Sequence, residues 1–192
     1  MKKILVAYTT NSGTTEEVAQ AIGEELGKSG TPVDVRRLEE VTSLESYRAV
    51  VVGGPMILGW HRAARKFVKQ NRQQLSKLQV AYFFTAMRLT QTGESQLGGI
   101  PLSIDPYLAT PPAKAGRLSL AERYATPANY LEPALKAAPD VKPVGAGFFG
   151  GRLDMYRLRW WQMLFVMVVI RAQPGDKRDW DFIRGWAASL GF

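Results

Sequence analysis

Cysteine is absent from this chain of 192 residues, and histidine occurs once, at His61. Without a thiol, the protein has no disulfide scaffold, no thiolate-bound zinc, no iron–sulfur cluster and no cysteine nucleophile. One histidine cannot supply a histidine-rich metal site, so we predict no metal. The chain also lacks an opening segment with a basic start, an apolar run and a small-residue cleavage site, and we therefore expect a cytoplasmic protein.

Acidic residues are missing from one quarter of the chain. The formal net charge is +8, yet residues 1–45 hold five basic and eight acidic residues. Residues 46–93 hold no acid and these basic residues: Arg48, Arg62, Arg65, Lys66, Lys69, Arg72, Lys77 and Arg88. Such a region can meet nucleic acid, an anionic membrane or an anionic small molecule, and net charge does not choose among them. Because no RNP, KH, zinc-finger or basic-zipper pattern is present, we predict no nucleic-acid partner.

No apolar run is long enough to cross a bilayer, which needs about 20 residues. The longest covers residues 160–170, is interrupted only by Gln162, and has arginines on both sides. We expect residues 154–171 to form an apolar helix flanked by basic residues. A helix that is apolar on all sides is normally buried, in the core or in a homo-oligomer contact. A peripheral position on a cytoplasmic membrane face, or a wall of a quinone or tetrapyrrole groove, stays open.

Five short apolar runs predict β-strands, and helical patterns lie between them. The predicted strands are residues 4–8, 33–37, 49–53, 80–85 and 144–148. Nearly continuous apolar strands are typical of a parallel sheet that is covered on both faces. Helical spacing recurs around Val18, Ala64 and Trp180, and Asp176 is a candidate cap for the last helix. The alternation predicts one α/β domain over residues 1–192, with an open, doubly wound sheet.

The alternation breaks at residues 89–122, which contain Pro101, Pro106, Pro111 and Pro112. A long stretch without periodicity inside a compact domain is either a functional lid or disordered. Apolar residues such as Ile100 and Leu108 offer anchors, which favours a partly ordered lid.

The segment after the first predicted strand carries the clearest chemical signal. It consists of Thr9, Thr10, Asn11, Ser12, Gly13, Thr14 and Thr15, with five hydroxyls and no charge. Backbone N–H groups at a helix N-terminus, supported by hydroxyl donors, bind anions. Each hydrogen bond to a charged group contributes about 1.5–3 kcal/mol, so this loop could hold a phosphate without Lys or Arg. A simple helix cap is the alternative, but it needs only one hydroxyl.

This loop resembles the FMN phosphate loop of flavodoxins, whose pattern of an aromatic residue, Ser/Thr, Gly and Thr is matched by Tyr8, Thr10, Gly13 and Thr15. The resemblance implies a five-stranded parallel sheet of order 2-1-3-4-5, in which residues 89–122 would form a long insertion after strand 4. It also implies FMN at the carboxyl ends of strands 1, 3 and 4, the switch point of such sheets.

The flavin ring would then lie between the loops that follow the third and fourth strands. These loops supply the remaining predicted cofactor-binding residues: Pro55, Met56, Ile57, Trp60, Thr85, Ala86, Met87 and Arg88. Trp60 either stacks on the flavin or is a buried anchor for the next helix, and Met56 or Ile57 could take its place at the ring. His61 is expected to cap that helix or to lie at the surface. Arg88 is the candidate for tuning the flavin, and no catalytic residue is assigned.

Residues 50–70 and 143–186 narrow the resemblance, because they are similar to the menaquinone-dependent protoporphyrinogen IX dehydrogenase branch. That branch implies an FMN-dependent oxidoreductase passing electrons from an organic substrate to a quinone, with the basic region receiving an anionic porphyrinogen. The alternative is an FMN electron carrier, or a redox-responsive binding protein, without its own substrate. Gly145, Gly147 and Gly150 also satisfy a dinucleotide fingerprint, but no strand and acidic residue follow as that motif requires. We expect these glycines to end the fifth strand and let the backbone approach a ligand or helix.

Overall fold

The computed structural model describes residues 2–56, 59–114, 116–153 and 175–192, which form strands β1–β11 and helices α1–α6. The strands are β1 (Lys3–Tyr8), β2 (Val33–Arg37), β3 (Tyr47–Pro55), β4 (Gln79–Ala86), β5 (Leu89–Thr90), β6 (Gln96–Leu97), β7 (Ile100–Ile104), β8 (Ala109–Thr110), β9 (Gly145–Gly150), β10 (Arg152–Leu153) and β11 (Gly175–Asp176). The helices are α1 (Thr14–Gly27), α2 (Arg62–Gln70), α3 (Arg72–Leu75), α4 (Leu120–Tyr124), α5 (Pro127–Ala137) and α6 (Trp180–Ser189).

All five predicted strands are present, and they lie in the predicted order. The sheet runs β2-β1-β3-β4-β9, with every neighbouring pair parallel, so β9 is the fifth strand of the prediction. The three middle strands are buried almost throughout, which explains their continuous apolar sequences. The doubly wound α/β fold is confirmed.

The insertion after β4 extends the sheet, which corrects the expectation of a five-stranded sheet beneath a partly ordered lid. Strand β7 pairs in parallel with β9, and β6 pairs antiparallel with β7, so the sheet has seven strands. Leu102 and Ile104 of β7 pack against the hydrophobic core. Because β7 forms hydrogen bonds with backbone groups of β9 that would otherwise lie at the edge of the sheet, the apolar residues of β7 serve sheet pairing.

Helices cover both faces of the sheet. One face packs α2, α3 and α5 over a core that contains Trp60 and Phe84. The other face packs α1 and α6, with Val18 and Trp186 in its core. Helix α5 is absent from the prediction, because Pro133 lies inside it.

Asp179, rather than the predicted Asp176, caps α6. The Asp179 carboxylate accepts a hydrogen bond from the Phe182 backbone N–H at 3.0 Å. Asp176 is instead paired with Arg178, whose guanidinium donates two hydrogen bonds to it. Asp176 is therefore engaged in an ion pair and does not cap α6.

The three glycines of the apparent dinucleotide motif lie within β9, which continues through Gly150 instead of ending before it. A Cβ on Gly147 would come 2.9 Å from Cε2 of Trp186, and one on Gly150 would come 1.9 Å from the Lys177 carbonyl oxygen. The glycines thus let β9 lie against α6 and the segment before it. The predicted helix at residues 154–171 lies outside the described residues.

Candidate cofactor site

The loop of residues 9–15 follows β1 at the carboxyl edge of the sheet and leads directly into α1. Gly13 is the N-cap, with φ of 90° and ψ of −18°, a left-handed conformation that disfavours any residue with a Cβ. The Gly13 N–H donates to Oγ1 of Thr10 at 2.9 Å, which folds the loop back on itself. Because the Thr10 hydroxyl accepts this bond, its own proton remains available to a ligand.

The first turn of α1 offers backbone donors to an external anion. Gly13 provides no side-chain cap, and the first N–H groups of a helix have no acceptor within the helix. The partial positive charge of the helix N-terminus lies at the same place. Asn11 and Ser12 are exposed at the tip of the loop, and Thr14 is half-buried beside it. The amides of Thr14 and Thr15 therefore have no acceptor within the helix and are suited to an anion.

Two acidic residues in this turn would repel a phosphate, and both are paired with arginine. Glu16 accepts from Arg37 at 3.0 Å, and Glu17 accepts from Arg178. The Arg178 side chain is 3% exposed, and its guanidinium lies 4.5 Å from the centre of the Trp180 ring. These ion pairs neutralise the carboxylates, so the loop suits a dianion although it contains no cation.

Buried hydroxyls connect the phosphate loop to β4. Oγ1 of Thr15 lies 2.8 Å from Oγ1 of Thr85, and both residues are buried. One proton is shared between the two oxygens, which leaves the second proton free for another acceptor. The Thr14 hydroxyl, in contrast, donates to the Arg152 carbonyl at 3.2 Å. Thr14 can therefore serve an anion through its amide only.

His61 is a helix cap, as one of the two expectations had it. Its Nδ1 accepts from the Ala63 backbone N–H at 3.2 Å at the start of α2. Oγ1 of the buried Thr9 lies 3.4 Å from the same nitrogen, while the Thr9 N–H donates to the Gly53 carbonyl. Burial lowers the pKa of His61, which favours the neutral ring that a cap requires.

Trp60 is a buried anchor, and the interpretation that it stacks on a flavin is corrected. Only 1% of Trp60 is exposed, and its ring lies 5.4 Å from that of Tyr82 and 5.2 Å from that of Phe84. Gly54 makes room for it, since a Cβ there would lie 3.1 Å from Nε1 of Trp60. An indole enclosed on all sides offers no face to a ligand.

The loop after β3 is held by its backbone. The Met56 N–H donates to the Thr85 carbonyl at 2.9 Å, and the Pro55 carbonyl accepts from the His61 N–H at 3.2 Å. The Met56 side chain is buried, which corrects its place at the ring, because it packs in the same core as Trp60. Ile57 lies outside the described residues. Pro55 is half-buried and follows the two glycines at the sheet edge.

The segment after β4 forms a second wall. The Ala86 carbonyl accepts from the Gly151 N–H at 2.8 Å, and a Cβ on Gly151 would lie 3.2 Å from Sδ of Met87. Ala86 is buried, whereas Met87 and Arg88 are half-buried. Residues 86–88 and the end of β9 therefore lie side by side at the edge of the sheet that carries the phosphate loop.

Arg88 is partly neutralised by a buried acid. Its Nη2 lies 3.9 Å from Oε1 of Glu122, whose side chain is 3% exposed. The pKa of Glu122 is lowered to about 2, first by the Ala113 N–H, then by the Ser119 hydroxyl and N–H, with a contribution from Arg88. The Arg88 carbonyl accepts from the Tyr130 hydroxyl at 2.8 Å, and burial raises the pKa of Tyr130 to about 12.

Asp105 belongs to this edge and escaped the sequence analysis. It is fully buried, and its carboxylate accepts from the backbone N–H groups of Gly150 at 3.2 Å and Tyr107 at 2.8 Å. These bonds join the insertion to the end of β9, one residue before Gly151. The signal in the sequence was an Asp preceding Pro106, a pair that favours a turn whose backbone the side chain can bind.

The site presents a neutral cradle of amides and hydroxyls for a phosphate, beside a wall of small and apolar residues. This donor set fits FMN. The residues that the structure describes contain no cluster of three or more His, Asp or Glu suited to a metal. Within the same residues, no helix is both long and apolar enough to cross a membrane.

A doubly wound sheet with an anion cradle at its carboxyl edge defines a nucleotide-binding α/β protein. The chain belongs to the flavodoxin domain family, whose model matches residues 5–180. The expectation of FMN as the cofactor is confirmed at this level, because the flavodoxin domain is an FMN-binding domain.

Solved flavodoxins share the fold over nearly the whole chain. A flavodoxin from the domain Archaea is 15% identical, with 98% of this chain and 95% of that chain covered and a TM-score of 0.51. Oxidised Flavodoxin 2 from Bacillus cereus is 16% identical, with 98% and 97% covered and a TM-score of 0.52.

The curated relatives match a shorter segment. Protoporphyrinogen IX dehydrogenase [quinone] of Escherichia coli K12 is 33% identical over 85 residues, which are 42% of this chain and 46% of that protein. NAD(P)H dehydrogenase (quinone) of Acidovorax ebreus is 33% identical over 81 residues, which are 31% of this chain and 40% of that protein. The matched segment spans less than half of each relative, so the similarity supports a redox role in general.

Proposed function

We propose that this chain is an FMN-dependent oxidoreductase that takes electrons from an organic substrate and passes them to a quinone. The observation that carries the proposal is the phosphate cradle, in which open amides and hydroxyls surround a neutral loop while nearby acids are paired. The quinone acceptor is supported by the printed activities of the Escherichia coli and Acidovorax relatives.

The phosphate loop and the segment after β4 receive distinct roles. The amides of Thr14 and Thr15 and the hydroxyls of Thr10, Ser12 and Thr15 hold the phosphate. Bound FMN supplies hydride or electron transfer, and the protein sets its position and potential. Ala86 and Met87 exclude water from one side of the ring, and Thr85 ties that wall to the phosphate loop.

We propose that the charge of Arg88 raises the midpoint potential of the bound flavin and that Glu122 reduces this effect. A positive charge favours the more negative, reduced state and therefore raises the midpoint potential, whereas the carboxylate 3.9 Å away offsets that charge. We predict that Arg88→Ala lowers the midpoint potential of the bound flavin and that Glu122→Gln raises it. Arg88→Lys is the matched control and should stay near the wild-type value. Equal shifts of one sign in Arg88→Ala and Glu122→Gln would contradict the assignment.

We propose a porphyrinogen, an anionic tetrapyrrole, as the electron donor. This rests on the similarity to the Escherichia coli dehydrogenase and on the acid-free region of residues 46–93.

The second candidate function is an FMN electron carrier without its own substrate. One observation favours it, because β6 and β7 of the insertion pair into the sheet and are therefore not free to close over the site as a lid. An electron carrier needs access to its cofactor for transfer to a partner.

A visible spectrum of the purified protein, followed by FMN titration, tests the cofactor. We expect flavin absorbance and saturable binding, with weaker binding by Thr10→Val. Thr42→Val, which removes an exposed hydroxyl far along the chain, is the matched control. A colourless protein that does not bind added FMN would refute the proposal.

Anaerobic mixing then separates the two functions. Bleaching by protoporphyrinogen IX and recovery of absorbance with menaquinone would support the oxidoreductase. Protein that binds FMN but is not reduced by the porphyrinogen, and that exchanges electrons with protein partners, would favour the carrier.

A further inference from the structure

Half of the positive charges in the acid-free region of residues 46–93 lie along α2. Four basic residues of α2 are exposed: Arg62, Arg65, Lys66 and Lys69. The last three lie three, four and seven residues after the first. This spacing places them on one face of the helix, while Ala64, Phe67 and Val68 on the opposite face are buried. We call these four cations the α2 stripe.

No cation of the α2 stripe forms an ion pair within the described part of the chain. The charge of Glu39 opposes the lowering of the His61 pKa, so this acid lies near the first end of the stripe without pairing with it. Like charges three and four residues apart destabilise a helix. Four exposed cations without an ion pair therefore favour an anion from outside the chain.

Helix α5 continues the charged surface on the other side of a shallow groove. The groove has a volume of about 390 Å³, and Pro133, Lys136 and Ala137 line it opposite the α2 stripe. Lys136 keeps an ion pair with Glu132 at 2.7 Å, so the positive charge comes mainly from α2. The stripe spans about 10 Å along the helix, and its charges lie in a row and do not converge on one point.

Large apolar side chains are exposed on the helix that precedes α5. Leu120 and Tyr124, one turn apart on α4, are 74% and 73% exposed. Tyr107 in the same insertion is 72% exposed. Exposed tyrosine and leucine are side-chain types that membrane interfaces take, and α4 contacts α5, the helix that lies across the groove from α2.

From these observations we propose that the α2 stripe, the facing edge of α5 and the exposed side chains of α4 dock on an anionic phospholipid bilayer. A row of charges on an open surface matches an extended anionic sheet better than one small anion, which would require converging donors. The inference goes beyond the proposed electron transfer and does not depend on FMN.

Co-sedimentation of the full-length protein with vesicles tests the proposal. We expect binding to phosphatidylglycerol vesicles that weakens with salt, and little binding to phosphatidylcholine vesicles. Each Lys or Arg near such a surface contributes about 1 kcal/mol, which corresponds to about fivefold in the partition coefficient. Arg65→Gln/Lys66→Gln should therefore weaken binding about 25-fold.

The matched control is Lys77→Gln/Lys142→Gln, which removes the same charge from exposed positions outside the α2 stripe, just before β4 and β9. It should stay within about twofold of the wild type if the α2 stripe is the docking surface. Equal losses in the two double variants would show that net charge alone governs binding and would overturn the proposal.

Two further outcomes would also overturn it. One is the absence of vesicle binding by the wild type. The other is saturable binding to soluble polyglutamate, lost in Arg65→Gln/Lys66→Gln, without binding to vesicles, which would assign the surface to an acidic protein. FMN content and reduction of a short-chain, water-miscible quinone, measured in parallel, report on the proposed function separately.

Discussion

The pair formed by Thr15 and Thr85 allows folding and cofactor binding to be separated by mutation. The two hydroxyls lie 2.8 Å apart and are buried, so each satisfies the other. Thr15→Val or Thr85→Val alone leaves one buried hydroxyl without its partner, at a cost of about 1–3 kcal/mol in the free energy of unfolding. Removing both partners with side chains of the same shape is nearly neutral.

The double variant is therefore expected to be more stable than either single variant. Urea unfolding of the FMN-free proteins measures this, with coupling of about 1–3 kcal/mol between the two sites. Costs that simply add in the double variant would refute the reasoning, because they would mean that the hydroxyls do not satisfy each other.

FMN affinity should behave differently from stability in the same set. If the spare proton of the pair is donated to the phosphate, its loss costs about 1.5–3 kcal/mol, or roughly 10- to 150-fold in the dissociation constant. The double variant should thus regain stability and still bind FMN weakly, as measured by fluorescence titration. A double variant that binds FMN as tightly as the wild type would remove this pair from the site.

Three further predictions concern single positions. Gly13→Ala places a Cβ at φ of 90°, which should lower the free energy of unfolding by about 1–2 kcal/mol and weaken FMN binding. The control is Gly30→Ala, at φ of 80° outside the site. It should lose similar stability in urea unfolding and keep its FMN affinity. Because the pKa of Glu122 is lowered from 4.5 to about 2, its stabilisation is complete above about pH 4.5 and is lost as the pH falls towards 2. The protection factors of the amides it binds, relative to unstructured peptides at the same pH, should fall over that range in the wild type, and Glu122→Gln should abolish this fall. Trp60→Ala should lower the free energy of unfolding by about 3–5 kcal/mol. Trp60→Phe removes an N–H that is buried without a partner and should leave FMN affinity unchanged. Weaker FMN binding by the Phe variant would show that Trp60 belongs to the site.

The sequence was informative where one physical signal dominated. Strands buried on both faces need continuous apolar runs, so β1, β3 and β4 could be located; β2, a partly buried edge strand, shows alternation instead. The phosphate loop was recognisable because five hydroxyls exceed what a helix cap requires.

The insertion was not predictable in the same way. Strands β5, β6 and β8 have two residues each, too few to show alternation, and β7 contains Pro101. The pairing of β7 depends on β9, which follows more than 40 residues later along the chain, whereas β5 and β8 pair only with each other. Helix α5 did offer a signal in Thr126 followed by Pro127, a cap and a first-turn proline.

Tertiary contacts decided between the two interpretations of Trp60, and a local ion pair overturned the predicted cap of α6. Trp60 is buried because Gly54 admits it beside Tyr82, and neither position reveals this alone. Asp176 and Asp179 are equivalent as candidate caps until Arg178 pairs with the first of them.

The pairing of β7 with β9 has a consequence for how copies of this chain avoid one another. Without the insertion, β9 would be an open edge of glycine, alanine and phenylalanine, whose unpaired backbone could template association with another chain. The insertion covers that edge and replaces it with β6, a strand of only two residues beside Gly98 and Gly99. A short, glycine-flanked edge is a poor template for further strands. We therefore expect the insertion to reduce aggregation through the sheet edge. A shortened chain that lacks the insertion should precipitate during refolding.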